Sequence, residues 1–220
     1  MIAFLRPLAF ASILLAVALP VRACQTALLL AIDVSQSIDA AEYRFQTEGL
    51  ADALGDAEIA DALVQGQMAL AVMQWSGRGA QQISIPWTRM QTKSDLERFA
   101  QQARMMPRAY IMSNTAVGEA LSTAMAQFAQ VPDCARKVID VSGDGPDNAG
   151  TDPRGARRAA ERAGIEINGL AIESLGLSIT TYFKRSVITR GGFVMTARGY
   201  RDYARTLREK IRRETAQIMF

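Results

Sequence analysis

The residues in this chain whose types and spacing could do chemistry all offer oxygen. Asp33-Val34-Ser35-Gln36-Ser37 presents a carboxylate and two hydroxyls on alternate residues, directly after the apolar run Thr26 to Asp33. Thr115 stands at the head of an apolar helical pattern, and Asp144 follows another apolar run in Ser142-Gly143-Asp144-Gly145. Two carboxylates, three hydroxyls and no nitrogen or sulfur make a ligand set for Mg²⁺, with Mn²⁺ or Ca²⁺ as alternatives. Each piece alone has an ordinary reading: Ser37 or Thr115 as a helix N-cap, Asp144 as a turn residue. Their order, each at a strand end or helix start, is what links them, because ligands of open α/β sheets bind beyond the carboxyl ends of the strands.

Composition narrows the chemistry in the same direction. The 220 residues contain no histidine and two cysteines. That removes imidazole bases, His-ligated zinc and any four-thiolate site. A net charge of +3, from 25 basic and 22 acidic residues, is scattered rather than clustered and gives no nucleic-acid footprint. Arg154, Arg157, Arg158 and Arg162, and the alternating charges of Arg208 to Glu214, read as solvated helix faces; Trp75 and Trp87 read as packing residues.

The elements that must position these oxygens alternate between strand and helix. Strands are expected at Thr26 to Asp33, Gln67 to Trp75, Lys137 to Ser142, Glu166 to Ile172 and Gly192 to Met195; Gln81 to Trp87, containing Pro86, suits an antiparallel edge strand. Helices are expected after Ser37 up to Gly55, at Asp95 to Met105 with Ser94 as cap, from Thr115 to Phe128, from Pro153 to Ala163, from Ser178 to Ile188 and from Tyr200 to Ile211. Asp147 and Asn148 read as turn formers, with a place around the ligands of a metal as the alternative. The pattern predicts an α/β, Rossmann-like, doubly wound, mostly parallel six-stranded sheet with one antiparallel edge strand and helices on both faces.

Residues 1–23 lie outside this alternation. Arg6, an apolar run from Leu8 to Leu19 and the small residue Ala23 have the pattern of a secretory signal peptide, leaving 24–220 as the mature domain. The run is shorter than the roughly 20 residues of a membrane span. Its removal takes Arg6 and Arg22 and no acidic residue, so the net charge falls from +3 to +1. The destination would be the periplasm or the exterior, where a Cys24–Cys134 disulfide can persist. Lipidation of Cys24 is the alternative; Arg22, two residues before it, speaks against that.

These residues resemble a von Willebrand factor type A domain over essentially the whole mature chain. Asp33-Val34-Ser35-Gln36-Ser37 reproduces the family's Asp-x-Ser-x-Ser motif, Thr115 with Gly118, Ala120 and Leu121 matches its second element, and Asp144-Gly145 its third. Gln74-Trp75-Ser76-Gly77 and Val138 to Gly145 are similar to the exported bacterial DUF1194 family. Asn114 departs from the glycine that many members carry there. The resemblance implies a metal-ion-dependent adhesion site with Asp33, Ser35, Ser37, Thr115 and Asp144 as ligands, directly or through water, completed by an Asp or Glu of a protein partner. It implies a binding or adhesion module rather than an enzyme; a Mg²⁺-dependent hydrolase using the same site and a structural domain with a vacant site are the alternatives. The family's sheet order also sets Cys24, nine residues before Asp33, level with Cys134, ten before Asp144.

Overall fold

The computed structural model describes residues 24–111, 113–173 and 178–216; the segment 1–23, expected as a signal peptide, lies outside them. Six strands form one sheet: β1 (Thr26–Asp33), β2 (Ala69–Trp75), β3 (Gln81–Arg89), β4 (Arg136–Gly143), β5 (Ile165–Ile172) and β6 (Val194–Ala197), in the order β3-β2-β1-β4-β5-β6. Only β3 is antiparallel, and Pro86 sits on this edge strand, where a missing N–H costs no ladder bond. The direction of winding reverses between β1 and β4, so their carboxyl ends define the crevice of the fold.

Strand parity divides the core. Leu28, Leu30 and Ile32 face α1 (Ala40–Leu54), α2 (Ala57–Gln65), α3 (Lys93–Arg104) and α7 (Tyr203–Ala216), packing with Leu50, Ile59, Phe99 and Leu207. Leu29 and Ala31 face α4 (Val117–Gln127), α5 (Pro153–Arg162) and the short α6 (Ile179–Tyr182), with Leu121, Ala160 and the adjoining Phe183. Burial on both faces is why β1 is a continuous apolar run.

Several local expectations are corrected. Asp39, not Ser37, caps α1, accepting from the amides of Ala41 and Glu42 while Glu42 reaches back to the Asp39 amide. Thr92, not Ser94, caps α3 in the same way with Asp95. The helix α2, capped by Asp56, was not expected, and β6 lies two residues later than the pattern placed it. Lys210 and Glu214 are not on a solvated face: both are fully buried, with Lys210 Nζ 2.6 Å from Asp140 Oδ1 and 2.7 Å from Glu214 Oε1. Trp75 is a buried packing residue, and Trp87 packs on Phe128.

At the end of the sheet away from the crevice, β1 and β4 pair with Thr26 opposite Arg136, and the same offset of 110 residues brings Cys24 to Cys134. The two are joined in a disulfide with their Cα atoms 4.4 Å apart.

Candidate metal centre

β1 ends in Asp33, whose Oδ1 accepts the Ser35 amide at 2.8 Å and so turns the chain sharply. The turn points successive hydroxyls one way. Ser35 Oγ lies 3.2 Å from Ser37 Oγ, and Ser37 Oγ donates to Asp144 Oδ1 at 2.7 Å, across 107 residues of sequence. Asp33 and Ser35 are fully buried, Asp144 nearly so. Gly143 lies opposite Asp33 across the β1–β4 junction, and a Cβ there would stand 3.2 Å from Asp33 Oδ2, so the glycine keeps the space between the two carboxylates open. Four of the five expected ligands thus form one connected group.

Thr115 comes from the connection between α3 and α4. It makes no hydrogen bond to the other four residues, but its strand of chain is held against them: the Gln36 amide donates to the Ser113 carbonyl at 2.9 Å. Gln74-Trp75-Ser76-Gly77, at the end of β2, anchors that connection. Ser76 Oγ donates to Asn114 O, Ser76 O accepts from the Ala116 amide, and the Gly77 amide donates to Ser113 Oγ, which a Cβ at Gly77 would strike. Asp147 and Asn148 do more than form a turn. Asn148 Oδ1 accepts from the Thr115 amide and Asp147 Oδ1 from the Val117 amide, both at 2.8 Å, so Asp147 supplies the N-terminal acceptor that Ala116 cannot. Gly118 permits this approach, since a Cβ there would collide with the Thr151 carbonyl.

The electrostatics of the group are one-sided. Burial, and next the neighbouring Asp144 carboxylate, push Asp33 up to about 7 against the pull of the Ser35 and Asp144 amides. Asp33 Oδ2 is buried with no hydrogen-bond partner, and neither Asp33 nor Asp144 has an ion pair among the described residues. Tyr200 adds a second buried orphan, its hydroxyl pushed up by burial and then by the charges of Asp144 and Asp33. Among the described residues, no cluster of three or more His, Cys, Asp or Glu side chains is set to hold a metal, so a cation here would depend on the hydroxyls as much as on the two carboxylates. The donor set and the orphaned oxygen fit a hard divalent cation.

Tyr200 and Arg108 are the residues at this site that sequence reasoning passed over. Arg108 Nη2 donates to the carbonyls of Val34 and Ser35 at 2.9 and 2.8 Å. Arg108 lies outside any helix or strand, its one hint being an arginine after Pro107, whereas Tyr200 opens the expected closing helix and nothing in its local pattern points to the site.

Solved structures of von Willebrand factor type A domains share this architecture. Proximal thread matrix protein 1 from the mussel byssus superposes with a TM-score of 0.65 at 16% identity, over 86% of this chain and 47% of its own. A second structure of that protein, described as having a zinc-occupied MIDAS motif, gives 0.65 at 15% identity over 88% and 46%. The domain of the type V pili tip protein Mfa5 from Porphyromonas gingivalis gives 0.66 at 10% identity over 90% and 97%. The chain therefore has the type A fold, although it spans only about half the length of the byssus protein. It belongs to the family described as protein of unknown function DUF1194, whose model matches residues 23–219. No curated protein matches the sequence.

Proposed function

We propose that the chain is an exported, divalent-cation-dependent binding or adhesion module. Asp33, Ser35, Ser37, Thr115 and Asp144 would hold Mg²⁺, or Mn²⁺ or Ca²⁺, directly or through water. An Asp or Glu of a partner protein would complete the coordination. The observation that carries this reading is the chain of hydrogen bonds from Asp33 through Ser35 and Ser37 to Asp144, around a buried, unpartnered carboxylate oxygen. An ion held largely by neutral hydroxyls keeps residual positive charge, which favours an anionic sixth ligand. Residues 1–23 would direct export and be removed; the Cys24–Cys134 disulfide suits an oxidising compartment, and no helix among the described residues is long and apolar enough to cross a membrane.

Calorimetric titration of residues 24–220 with MgCl₂ and MnCl₂ tests the reading. Wild type should bind one ion and gain about 2.7 kcal/mol of stability at a hundredfold excess over Kd. Asp33→Ala should do neither, and an Asp33→Ala protein that binds as tightly as wild type removes the proposal.

A further inference from the structure

We propose that Arg108 is a positioning residue of this centre, holding the Asp33–Ser37 turn in the shape that presents its hydroxyls. The inference rests on the cation-site reading and goes one step into its construction.

The amides and carbonyls of the turn are secured differently. Its N–H groups are taken by main chain and by Asp33: Val34 N by Trp75 O at 2.9 Å, Ser35 N by Asp33 Oδ1 and Gln36 N by Ser113 O. The carbonyls of Val34 and Ser35 both accept from a single nitrogen of Arg108, and Ser35 O accepts from the Ile38 amide as well, at 3.1 Å. Hydrogen bonds from a charged donor are about twice as strong as neutral ones, and two from one nitrogen fix the relative tilt of successive peptide planes. Those planes meet at Ser35 Cα, so their relative tilt directs Ser35 Oγ, which lies 3.2 Å from Ser37 Oγ.

Arg108 can act this way because its own backbone is fixed. Gln74, fully buried on β2, donates to the Pro107 carbonyl and accepts from the Ala109 amide, both at 2.9 Å. On the other side, Tyr43 of α1 donates to the Met106 carbonyl at 2.9 Å. The segment carrying Arg108 is therefore braced from β2, the neighbour of β1, and from α1, which follows the turn. Arg108 is half-buried; its Nε is buried without a hydrogen-bond partner, and its Nη2 serves the two carbonyls.

The sign of the effect on metal affinity separates this role from a merely electrostatic one. A guanidinium acting through charge alone repels a divalent ion, so its removal would tighten binding. A positioning guanidinium predicts the reverse: Arg108→Gln should weaken Mg²⁺ binding by about 10–100-fold, the usual effect of losing an outer partner of a metal site. The metal-free protein should melt lower than wild type, because two carbonyls lose a charged donor, so affinity is measured well below the transition. Arg108→Lys, which keeps the charge on a shorter stem without the planar fork, should fall between the two and is the variant to read if Arg108→Gln does not fold. Calorimetry with MgCl₂ on wild type, both Arg108 variants and Asp33→Ala decides the matter. If wild type binds, Asp33→Ala does not, and the folded Arg108 variants bind as tightly as wild type or tighter, the role of Arg108 is overturned while the cation site stands. If wild type itself does not bind, both are overturned.

Discussion

The strand β4 and the residue directly after it carry two buried carboxylates, four residues and therefore about 13 Å apart, and the protein treats them in opposite ways. Asp140 faces α7, where Lys210 Nζ lies 2.6 Å away, shared with Glu214, while Asn168 donates to Glu214 at 3.0 Å. Asp144, at the strand's carboxyl end, meets Asp33 and a line of serine hydroxyls instead. One cluster has its cation built into the chain. The other collects the same kind of charge and provides only neutral donors. Burying a charge without a partner is costly, so a fold that supplies a lysine in the middle of the strand and none beyond its carboxyl end leaves the second place suited to an ion from solution.

The largest effect that can break this comparison is removal of the lysine. Lys210→Met leaves Asp140 and Glu214 buried without their cation and should cost about 3–5 kcal/mol in urea or thermal unfolding. Asp33→Asn in metal-free protein should cost little or even stabilise, because it removes a carboxylate whose burial is unpaid. Equal losses from the two substitutions would mean that the two clusters are electrostatically alike.

A smaller effect concerns the proton left over in the lysine cluster. Two carboxylates and one ammonium carry an excess negative charge, and burial, the largest influence, pushes Glu214 up to about 7 against the pull of Lys210, with Asp140 adding to the rise. Burial alone would lower the Lys210 ammonium, but Asp140 and Glu214 together hold it above its usual range. The groups around Glu214 are therefore Lys210, Asp140, Asn168 and Arg136, which donates to its main-chain carbonyl. An acid whose folded pKa is raised binds its proton more tightly in the folded than in the unfolded chain. Its contribution is thus present at low pH and is lost as the pH rises from about 4.5, the ordinary value of a glutamate, to about 7. Glu214→Gln should flatten the stability profile across that window relative to wild type, by at most about 1.4 kcal/mol per pH unit. Asp33 titrates in the same window without metal, so the informative quantity is the difference between the two metal-free proteins, in which Asp33 cancels. Parallel profiles would show that Glu214 stays ionised beside Lys210.

The strands were legible because a run buried on both faces has one apolar signature: Thr26 to Asp33 was bounded to the residue, and Lys137 to Ser142 to within one at each end. The grouping of Asp33, Ser35, Ser37 and Asp144 was legible for the same reason, since each follows such a run. The lysine cluster was missed although its signal was present: Tyr203, Leu207, Lys210, Ile211 and Glu214 lie on one helical stripe, and Asp140 interrupts an apolar strand on the same side. Charge on an apolar stripe was read as solvated because its partner is some 70 residues away in sequence. Short α2 escaped for a different reason, burying only Ile59 and Leu63. Arg108 and Asp147 act on backbone groups of distant loops, contacts that no local period encodes.

The smallest test separates two neighbouring side chains that local rules treat as equivalent. Ser37 and Asp39 are both good N-caps, and the helix takes Asp39, whose Oδ1 accepts at 2.7 and 2.8 Å. Ser37 is thereby released to donate to Asp144, the place where the other cluster has an ammonium. Asp39→Ala should lower stability by about 1 kcal/mol, as the loss of a capping side chain usually does, and leave Mg²⁺ affinity close to wild type. Ser37→Ala should do the converse, removing a neutral oxygen from the cation's surroundings while α1 keeps its cap. Thermal melts with and without MgCl₂ read both quantities from one sample. If Ser37→Ala instead lowers the metal-free melting temperature and leaves the Mg²⁺ increment intact, Ser37 belongs to the helix start, and the hydroxyl line between the two carboxylates is a packing detail.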